Sequence, residues 1–202
     1  MIDWAEVVER EDLPFRSARD HARCLNGHLR EIAGSNSGYH HALRLSTWTC
    51  LLCARFRLPR QTWLEVEHKP CDVAGAAADM RAGFPVQVVP RRPAVRGGVG
   101  RIELHIRGEV FGYVGVQLCG IDRRGVLVHV AAAERHRRRG IGGLMVDAAL
   151  ARGPGYTWST APFDLDDVEL KAFRSTLDLP EPVQVGEPFY CSHMLEAMGE
   201  WV

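Results

Sequence analysis

The sequence has no excess of charge of either sign. Lysine and arginine together number 25 and so do aspartate and glutamate, which leaves a formal net charge of zero. A protein that binds nucleic acid mainly through electrostatics carries a basic balance, so this composition offers no global basic field for such a partner. Basic residues are instead concentrated locally, in the run from residue 135 to residue 139.

Long apolar runs are also absent from the sequence. No run approaches the roughly 18 residues that a transmembrane helix needs, and the acidic first residues (with Asp3 and Glu6) differ from the basic start of a secretory signal peptide. We therefore expect a cytoplasmic protein. In that compartment the six cysteines are expected to be thiols or metal ligands rather than disulfides.

The length and composition are sufficient for one sizeable core. The chain has 202 residues, of which 46% are hydrophobic, and a typical domain contains about 100–150 residues. Cysteine and histidine are concentrated before residue 60. We therefore expect a small N-terminal segment at residues 1–60 and a larger domain at residues 61–202.

The basic run lies between a predicted strand and a predicted helix. Residues 126–130 are rich in β-branched side chains and follow Gly125, which is typical of a buried strand. Apolar residues then recur at helical spacing, at Ile141, Leu144, Met145, Ala148 and Ala149. The free N–H groups and the positive dipole of the first helical turn suit an anion such as a phosphate.

The glycine spacing distinguishes this loop from two other phosphate loops. A P-loop requires lysine and then serine or threonine after its second glycine, and a dinucleotide fingerprint requires a third glycine where Met145 stands. The pattern Arg137-x-x-Gly140-x-Gly142 instead resembles the acetyl-CoA signature of the GNAT superfamily of N-acetyltransferases. The resemblance covers about residues 100–200. It implies an α/β (α+β) fold with a mixed, mostly antiparallel central sheet flanked by helices.

The resemblance also implies which residues bind acetyl-CoA. Main-chain N–H groups of the loop would bind the pyrophosphate, and the end of the fourth strand would pair with the pantetheine arm. Gly140 and Gly142 lack a Cβ atom, so a ligand could approach closely and a positive φ would carry no strain. The cofactor-binding residues implied in this way are Val130, Ala131, Ala132, Arg137, Arg138, Arg139, Gly140, Ile141, Gly142 and Gly143.

The catalytic residues are less well defined by the resemblance. Many members of the superfamily carry a general-acid tyrosine on the helix after the fifth strand, and this chain has Arg174 at the matching position. Glu103, His105 and His129 are candidates for a base that acts directly or through water. Tyr190 is a further candidate catalytic residue. Polar residues that alternate along strands are also typical of a solvent-facing surface.

Cysteine and histidine in the N-terminal segment have the spacing of a zinc ribbon. Cys24 and His28 flank a predicted tight turn that contains a glycine, and Cys50 and Cys53 flank a second turn. Three thiolates and one imidazole complete the tetrahedral set of a structural zinc site, with no open position for catalysis. We therefore expect a zinc-ribbon-like module with structural Zn²⁺.

Other interpretations of this segment remain open. His21, His40 and His41 are rival fourth ligands. Residues 15–33 could instead form a helix, in which Cys24 would be a small buried thiol.

The remaining patterns predict the order of the other elements. An alternating hairpin is expected around Gly108. Residues 85–100, with three prolines and three glycines, are expected to form a loop. Strands are expected at residues 42–49, 54–58, 63–68, 156–161 and 189–195, and helices at residues 72–83 and after Asp164.

Two functions fit these observations. The first is an acyl-CoA-dependent N-acyltransferase that moves an acetyl group from acetyl-CoA to an unidentified amine by direct attack. The second is a catalytically silent CoA-binding protein whose zinc module contacts nucleic acid or a protein partner.

Overall fold

The computed structural model describes residues 13–18, 22–67, 83–162, 173, 179 and 183–199. The strands in these ranges are β1 (Phe15–Ser17), β2 (Ser35–His40), β3 (Leu45–Cys50), β4 (Thr62–Val66), β5 (Val86–Arg91), β6 (Val99–Ile106), β7 (Glu109–Cys119), β8 (Arg124–Ala132), β9 (Thr157–Thr160) and β10 (Val183–Gln184). The helices are α1 (Arg30–Ala33), α2 (Leu51–Arg55), α3 (Ile141–Leu150) and α4 (Ser192–Met198), with a 3-10 turn at Glu134–His136. No helix in the described ranges is long and apolar enough to cross a membrane.

Six strands form the larger sheet, in the order β10-β9-β8-β7-β6-β5. The pairs from β5 to β8 are antiparallel, whereas β8–β9 and β9–β10 are parallel. Helix α3 packs across β6, β7 and β8. The prediction of a mixed, mostly antiparallel sheet with packed helices is confirmed. The succession of strand, arginine-rich loop and helix is the one that the resemblance to N-acetyltransferases implies.

The hairpin predicted around Gly108 is also confirmed, and the backbone conformation of its turn explains why a glycine stands at this position. Arg107 and Gly108 have φ values of 50° and 86°, the two positive values that a type I′ turn requires. On β6, Ile102, Leu104 and Ile106 are at most 5% exposed and lie in the core. The residues between them therefore point to the opposite face of the sheet.

Four strands form the smaller sheet, in the order β1-β4-β3-β2. Strand β4 is antiparallel to β3 and parallel to β1, so this sheet extends beyond residue 60. The two sheets share one core, because Phe15 and Leu64 belong to the same apolar cluster as Leu104, Ile141 and Met145. The division of the chain into residues 1–60 and 61–202 stays a prediction.

Three local expectations from the sequence are wrong. Part of the loop expected at residues 85–100 is the strand β5, which accommodates Pro90 because it lies at the edge of its sheet. The strand expected at residues 54–58 is replaced by α2 and a turn, and the strand expected at residues 189–195 is replaced by the start of α4. Apolar alternation over a few residues does not distinguish a short strand from one helical turn.

The region before β2 contains no long helix in its described part. Residues 15–17 form β1, and Arg23 pairs with Leu29 in an isolated antiparallel bridge across a tight turn. The alternative of a helix at residues 15–33 is therefore wrong. The helices expected at residues 72–83 and after Asp164 lie almost entirely outside the described residues.

Strand β1 lies against the start of α3. The Phe15 N–H donates to the Arg139 carbonyl at 2.7 Å. Gly140, with φ of 79°, precedes α3, and a Cβ atom there would overlap the Phe15 carbonyl oxygen. At Gly143 the corresponding position has no described atom within 4 Å. The absence of a side chain is thus required at Gly140 and not at Gly143.

We predict that Gly140→Ala lowers the free energy of unfolding by about 1–3 kcal/mol, because alanine disfavours a positive φ and its methyl group would displace β1. Gly143→Ala is the matched control, and its open helical position predicts a gain of about 0.5–1 kcal/mol. Chemical denaturation measures both changes. Equal stability of the two variants would contradict the described packing of β1 against α3.

Candidate functional site

Strands β8 and β9 separate near the centre of the larger sheet. They pair in parallel only between residues 124–127 and residues 157–160, and the Ala161 N–H makes a last bond to the Leu127 carbonyl. From residue 128 to residue 132, β8 pairs with β7 alone among the described strands. In the part of the chain that the structure describes, a gap therefore opens beside the second half of β8.

A β-bulge lies where this separation begins. The register between β7 and β8 shifts there and leaves Val128 as an extra residue on β8. Beyond the bulge, the Ala133 N–H donates to the Phe111 carbonyl on β7. Because main-chain groups alternate sides along an antiparallel strand, those of Val130 and Ala132 point away from β7, toward the gap.

The arginine-rich loop follows β8 and ends at the N-terminus of α3. The first hydrogen bond within the helix runs from the Leu144 N–H to the Gly140 carbonyl. The N–H groups of Ile141, Gly142 and Gly143 therefore have no acceptor within the helix, and they lie at the positive end of its dipole. Such a set of donors suits a phosphate group.

The loop is anchored by the N-terminal part of the chain. Besides accepting from Phe15, Arg139 donates through its guanidinium to the Leu13 carbonyl at 3.3 Å and lies 5.3 Å from the centre of the Phe15 ring. Arg60 donates to the Arg138 carbonyl. Arg138 has a φ of 62°, a left-handed conformation that is uncommon for residues other than glycine, and these bonds help to hold it.

Two glycines of the signature are required by packing within the protein. Gly140 contacts the Phe15 carbonyl, and a Cβ atom at Gly142 would lie 2.5 Å from the Phe173 ring. Their small size therefore has a cause that involves no ligand. A Cβ atom at Gly143 would have no described atom within 4 Å, so a side chain introduced there meets none of the described core.

An aromatic stack fixes the first half of the basic run. The His136 ring lies on the Phe111 ring, with 3.7 Å between centroids and 8° between planes, and Arg135 donates to Glu109 at 2.6 Å. Burial, followed by the charges of Arg135 and Arg139, lowers the pKa of His136 below its usual value despite the opposing charge of Glu109. The neutral form of His136 is thus favoured, and the charge of Arg135 is balanced by Glu109.

A pocket of about 320 Å³ opens at the β-bulge, on the face of the sheet opposite to α3. Its polar lining consists of Arg91, Arg92, Arg101, Tyr113 and His129. The Arg101 guanidinium lies 3.9 Å from the centre of the Tyr113 ring, and the Tyr113 and His129 rings are 5.7 Å apart. The pocket therefore combines aromatic surface with an excess of positive charge.

Glu103 is buried beside this pocket and is surrounded by basic side chains. Its carboxylate lies 2.9 Å from the His105 Nε2, 3.1 Å from the Arg91 Nε and 3.6 Å from the Arg101 guanidinium. Burial raises the pKa of the Glu103 carboxyl, but hydrogen bonds from His105 and Arg91 outweigh it and hold that pKa below its usual value. Such a carboxylate is a weak proton acceptor and is well suited to orienting its partners.

The structure therefore separates the predicted catalytic residues. His129 lines the pocket, and Glu103 lies behind the pocket's arginines. Tyr190 packs against a different apolar cluster, which contains Met194, and Arg174 lies outside the described residues. The pocket's arginines and Tyr113 were not predicted from the sequence. Arg101 on β6 and Tyr113 on β7 alternate with core residues, which places both on the face that His129 shares.

The four predicted metal ligands converge in the N-terminal module. The ligand atoms of Cys24, His28, Cys50 and Cys53 all lie within 4.8 Å of one another. The His28 Nδ1 is 3.1 Å from the Cys53 Sγ and 3.4 Å from the Cys24 Sγ, and the latter two sulfurs are 3.7 Å apart. Ligand atoms around a tetrahedral zinc ion are separated by about 3.4–3.8 Å, so this donor set fits the ion.

The local structure supports this convergence. Helix α2 begins directly after Cys50, and its first turn brings Cys53 to the same side. The Asn26 side-chain amide donates to the Cys53 Sγ at 3.2 Å and to the Pro59 carbonyl at 2.8 Å. Burial, against the Asn26 hydrogen bond, raises the pKa of the Cys53 thiol to about 12. A bound cation would favour the thiolate that burial disfavours.

Two of the rival histidines, His40 and His41, lie elsewhere. The His40 Nδ1 accepts from the Leu43 N–H at 3.2 Å, and the His41 ring packs edge-on against Tyr39. His21 lies outside the described residues. Among the histidines that the structure describes, His28 is the one that joins the three cysteines.

Solved structures similar to the chain include two acetyltransferases. Nourseothricin acetyltransferase is 22% identical over 38% of this chain and 48% of that chain, with a TM-score of 0.33. A ribosomal-protein-alanine N-acetyltransferase from Brucella melitensis biovar Abortus 2308 is 15% identical over 48% of this chain and 72% of that chain, with a TM-score of 0.35. The chain thus spans about half the length of the first of these proteins. No protein-family model and no curated protein matches the chain.

We predict that Glu103→Gln lowers the free energy of unfolding at neutral pH by about 1–3 kcal/mol, because it removes a charged acceptor from buried hydrogen bonds. The lowered pKa of Glu103 stabilises the fold above the pKa of the unfolded carboxyl. This contribution is lost as the pH falls through the folded pKa, so the difference between wild type and variant should shrink in acid.

Denaturation curves from neutral to acidic pH test this expectation. Glu109→Gln is the control, because that carboxylate is 63% exposed and a surface pair contributes about 0–1 kcal/mol. A destabilisation by Glu103→Gln that does not change with pH would contradict the assignment.

We predict that His28→Ala lowers the zinc content of the purified protein, because it removes one of four converging ligands, whereas His41→Ala leaves it unchanged. Elemental analysis of both variants measures zinc per chain. Loss of zinc from His41→Ala, with full retention in His28→Ala, would contradict the ligand set.

Proposed function

We propose that the protein is an acyl-CoA-dependent N-acyltransferase that transfers an acetyl group from acetyl-CoA to an amine. One observation carries the proposal: β8 separates from β9 after Leu127, directly before a basic loop that ends at the N–H groups of α3. The pantetheine arm of CoA is an extended chain with amide groups, and a diphosphate follows it. The amide groups match the unpaired edge of β8, and the diphosphate matches the start of α3.

The proposal gives each part of the loop region a role in binding. The N–H groups of Ile141, Gly142 and Gly143 would donate to the pyrophosphate, with the Arg137 and Arg138 side chains as nearby cations. The outward main-chain groups of the β8 edge would pair with the amides of the pantetheine arm, as a further strand pairs with a sheet edge. Val130 and Ala132 would make these bonds, whereas Ala131 lies between them and pairs with Tyr113 on β7.

The reaction requires a deprotonated amine and an acid for the departing sulfur. The nitrogen lone pair attacks the thioester carbonyl carbon, the C–S bond then breaks, and the CoA thiolate takes up a proton. A main-chain N–H group of β8 would stabilise the oxyanion of the intermediate. His129 is our candidate base because it lines the pocket, and Glu103 would act by orienting Arg91 and His105.

The charge of the pocket narrows the class of acceptor. Arg91, Arg92 and Arg101 contribute to its lining, and such a lining repels a simple ammonium group. An amine whose molecule also bears a carboxylate or phosphate would be attracted instead. We therefore propose an acceptor with an anionic group beside its amine.

The N-terminal module completes the proposal. Cys24, His28, Cys50 and Cys53 would hold a structural zinc ion, which supplies a fixed link between two turns and leaves no open coordination position. We propose that the protein is cytoplasmic, because a reducing compartment would keep these cysteines available as thiolate ligands.

The ion pairs of Glu103 favour a second candidate function. A base candidate engaged by Arg91 and His105 is poorly placed to accept a proton, which fits a CoA-binding protein without turnover. In that case the zinc module would contact nucleic acid or a protein partner.

The binding site is tested by two variants of Gly143, where a side chain meets open space. We predict that Gly143→Glu weakens CoA binding at least tenfold, because its carboxylate would repel the pyrophosphate at the start of α3, whereas Gly143→Ala binds with nearly wild-type affinity. Isothermal titration with CoA measures both. Equal affinity of the two variants would overturn the phosphate assignment.

Turnover distinguishes the two functions. Release of free CoA thiol from acetyl-CoA is measured with amines that carry an anionic group and with matched amines that do not. Release with the first set supports the transferase and its proposed acceptor class. Tight CoA binding without release on any amine would favour the silent binding protein.

A further inference from the structure

A second group of metal-ligating side chains lies on the larger sheet, far along the chain from the first. The ligand atoms of Cys119, Asp122, Cys191 and His193 all lie within 4.8 Å of one another. Cys119 ends β7 and Asp122 lies in the turn to β8, whereas Cys191 and His193 lie at the start of α4. The acyl-CoA proposal assigns no role to any of these residues.

The four side chains point at a common centre. The His193 Nδ1 lies 3.1 Å from the Asp122 Oδ2, and the Cys119 Sγ lies 3.4 Å from that oxygen and 3.9 Å from that nitrogen. The Asp122 N–H also points to the Cys119 Sγ, at 3.5 Å. A main-chain donor to a sulfur within a short turn stabilises the charge of a thiolate ligand.

Burial divides the group into two halves. Cys119 and Cys191 are 4% and 7% exposed, whereas the side chains of Asp122 and His193 are 36% and 43% exposed. A surface pair of histidine and aspartate needs no thiols beside it. Two buried sulfurs within 4.8 Å of that oxygen and that nitrogen form instead a four-donor set of the kind that holds a divalent transition metal.

We propose that Cys119, Asp122, Cys191 and His193 bind a second structural zinc ion. Sulfur, nitrogen and carboxylate oxygen are all ordinary zinc ligands, and four of them leave no open position for catalysis. The two thiolates favour zinc over magnesium or calcium, which take oxygen ligands.

The ion would fasten the C-terminal helix to the sheet behind the pocket. The Gln117 side-chain amide donates to the Met194 carbonyl at 3.0 Å and to the Gly97 carbonyl at 2.7 Å. A Cβ atom at Gly97 would lie 2.8 Å from the His193 carbonyl oxygen, so this turn packs directly on α4. The turn leads into Val99, which lines the pocket, and the second site therefore supports one pocket wall.

The sequence spacing conceals this site. Cys119 and Asp122 have the spacing of a two-ligand turn, but the second ligand is a carboxylate. Cys191 and His193 lie in a stretch whose alternation predicts a strand. Only the packing of α4 on β7 brings the two pairs together.

Zinc per chain tests the proposal, measured by elemental analysis of the reduced full-length protein. We predict two zinc ions for the wild type and for Glu196→Ala, an exposed neighbour on α4, and one for His193→Ala and Asp122→Ala. Because both changed ligands are partly exposed, these variants should keep the wild-type circular dichroism spectrum. His193→Cys should restore the second ion, since it replaces one zinc ligand with another.

The two metal centres are separable in the same experiment. His28→Ala should lose only the first ion. If the N-terminal centre binds no zinc, the wild type would contain one zinc ion, and His193→Ala would remove it. An unchanged zinc content in folded His193→Ala would overturn the second site. A disulfide between Cys119 and Cys191 in the intact mass of freshly purified, unreduced protein would also overturn it.

Discussion

The hydrogen bond from Phe15 to Arg139 joins the two sheets at the point where the candidate site is built. It holds β1, a strand of the smaller sheet, against the arginine-rich loop. Phe15 and Leu64 then complete a core with Ile141 and Met145 of α3. The start of α3, where we propose that the phosphates bind, therefore depends on a contact with the N-terminal module, and not on the larger sheet alone.

This contact explains the conformation of the loop. Arg138 keeps a left-handed backbone while Arg60, from beyond α2, donates to its carbonyl. The candidate zinc centre fixes the turn from which α2 begins, and Asn26 links that centre to the Pro59 carbonyl, next to Arg60. A continuous set of contacts thus runs from the metal ligands to the loop, which gives a structural metal a physical route of influence on CoA binding.

Elements of the larger sheet could be predicted where the spacing of apolar residues in the sequence matches the face that the folded protein buries. The helical spacing from Ile141 to Ala149 and the alternation on β6 were sufficient for α3 and the hairpin. Prediction failed where a short segment is shaped by distant partners. Pro90 lies in a strand because the sheet ends there, and α4 begins where the alternation predicts a strand.

The candidate site shows the same division. The loop and the four N-terminal ligands follow from spacing, because glycines and paired ligands within a few residues leave a local signal. The gap beside β8 depends on a bulge and on where β9 stops pairing, and the pocket lining depends on which strands are neighbours. The cluster of Cys119, Asp122, Cys191 and His193 depends on residues about 70 positions apart. The gap, the pocket lining and this cluster therefore leave no signal in a short stretch of sequence.

We propose that CoA occupies the gap beside β8 and the start of α3. Hydrogen exchange of the full-length chain with and without CoA tests it directly, because amides that a ligand covers exchange more slowly. We expect slower exchange at residues 128–132 and 137–144, with no change at residues 124–127, which β9 already pairs. Protection confined to other segments, or none at saturating CoA, would contradict it.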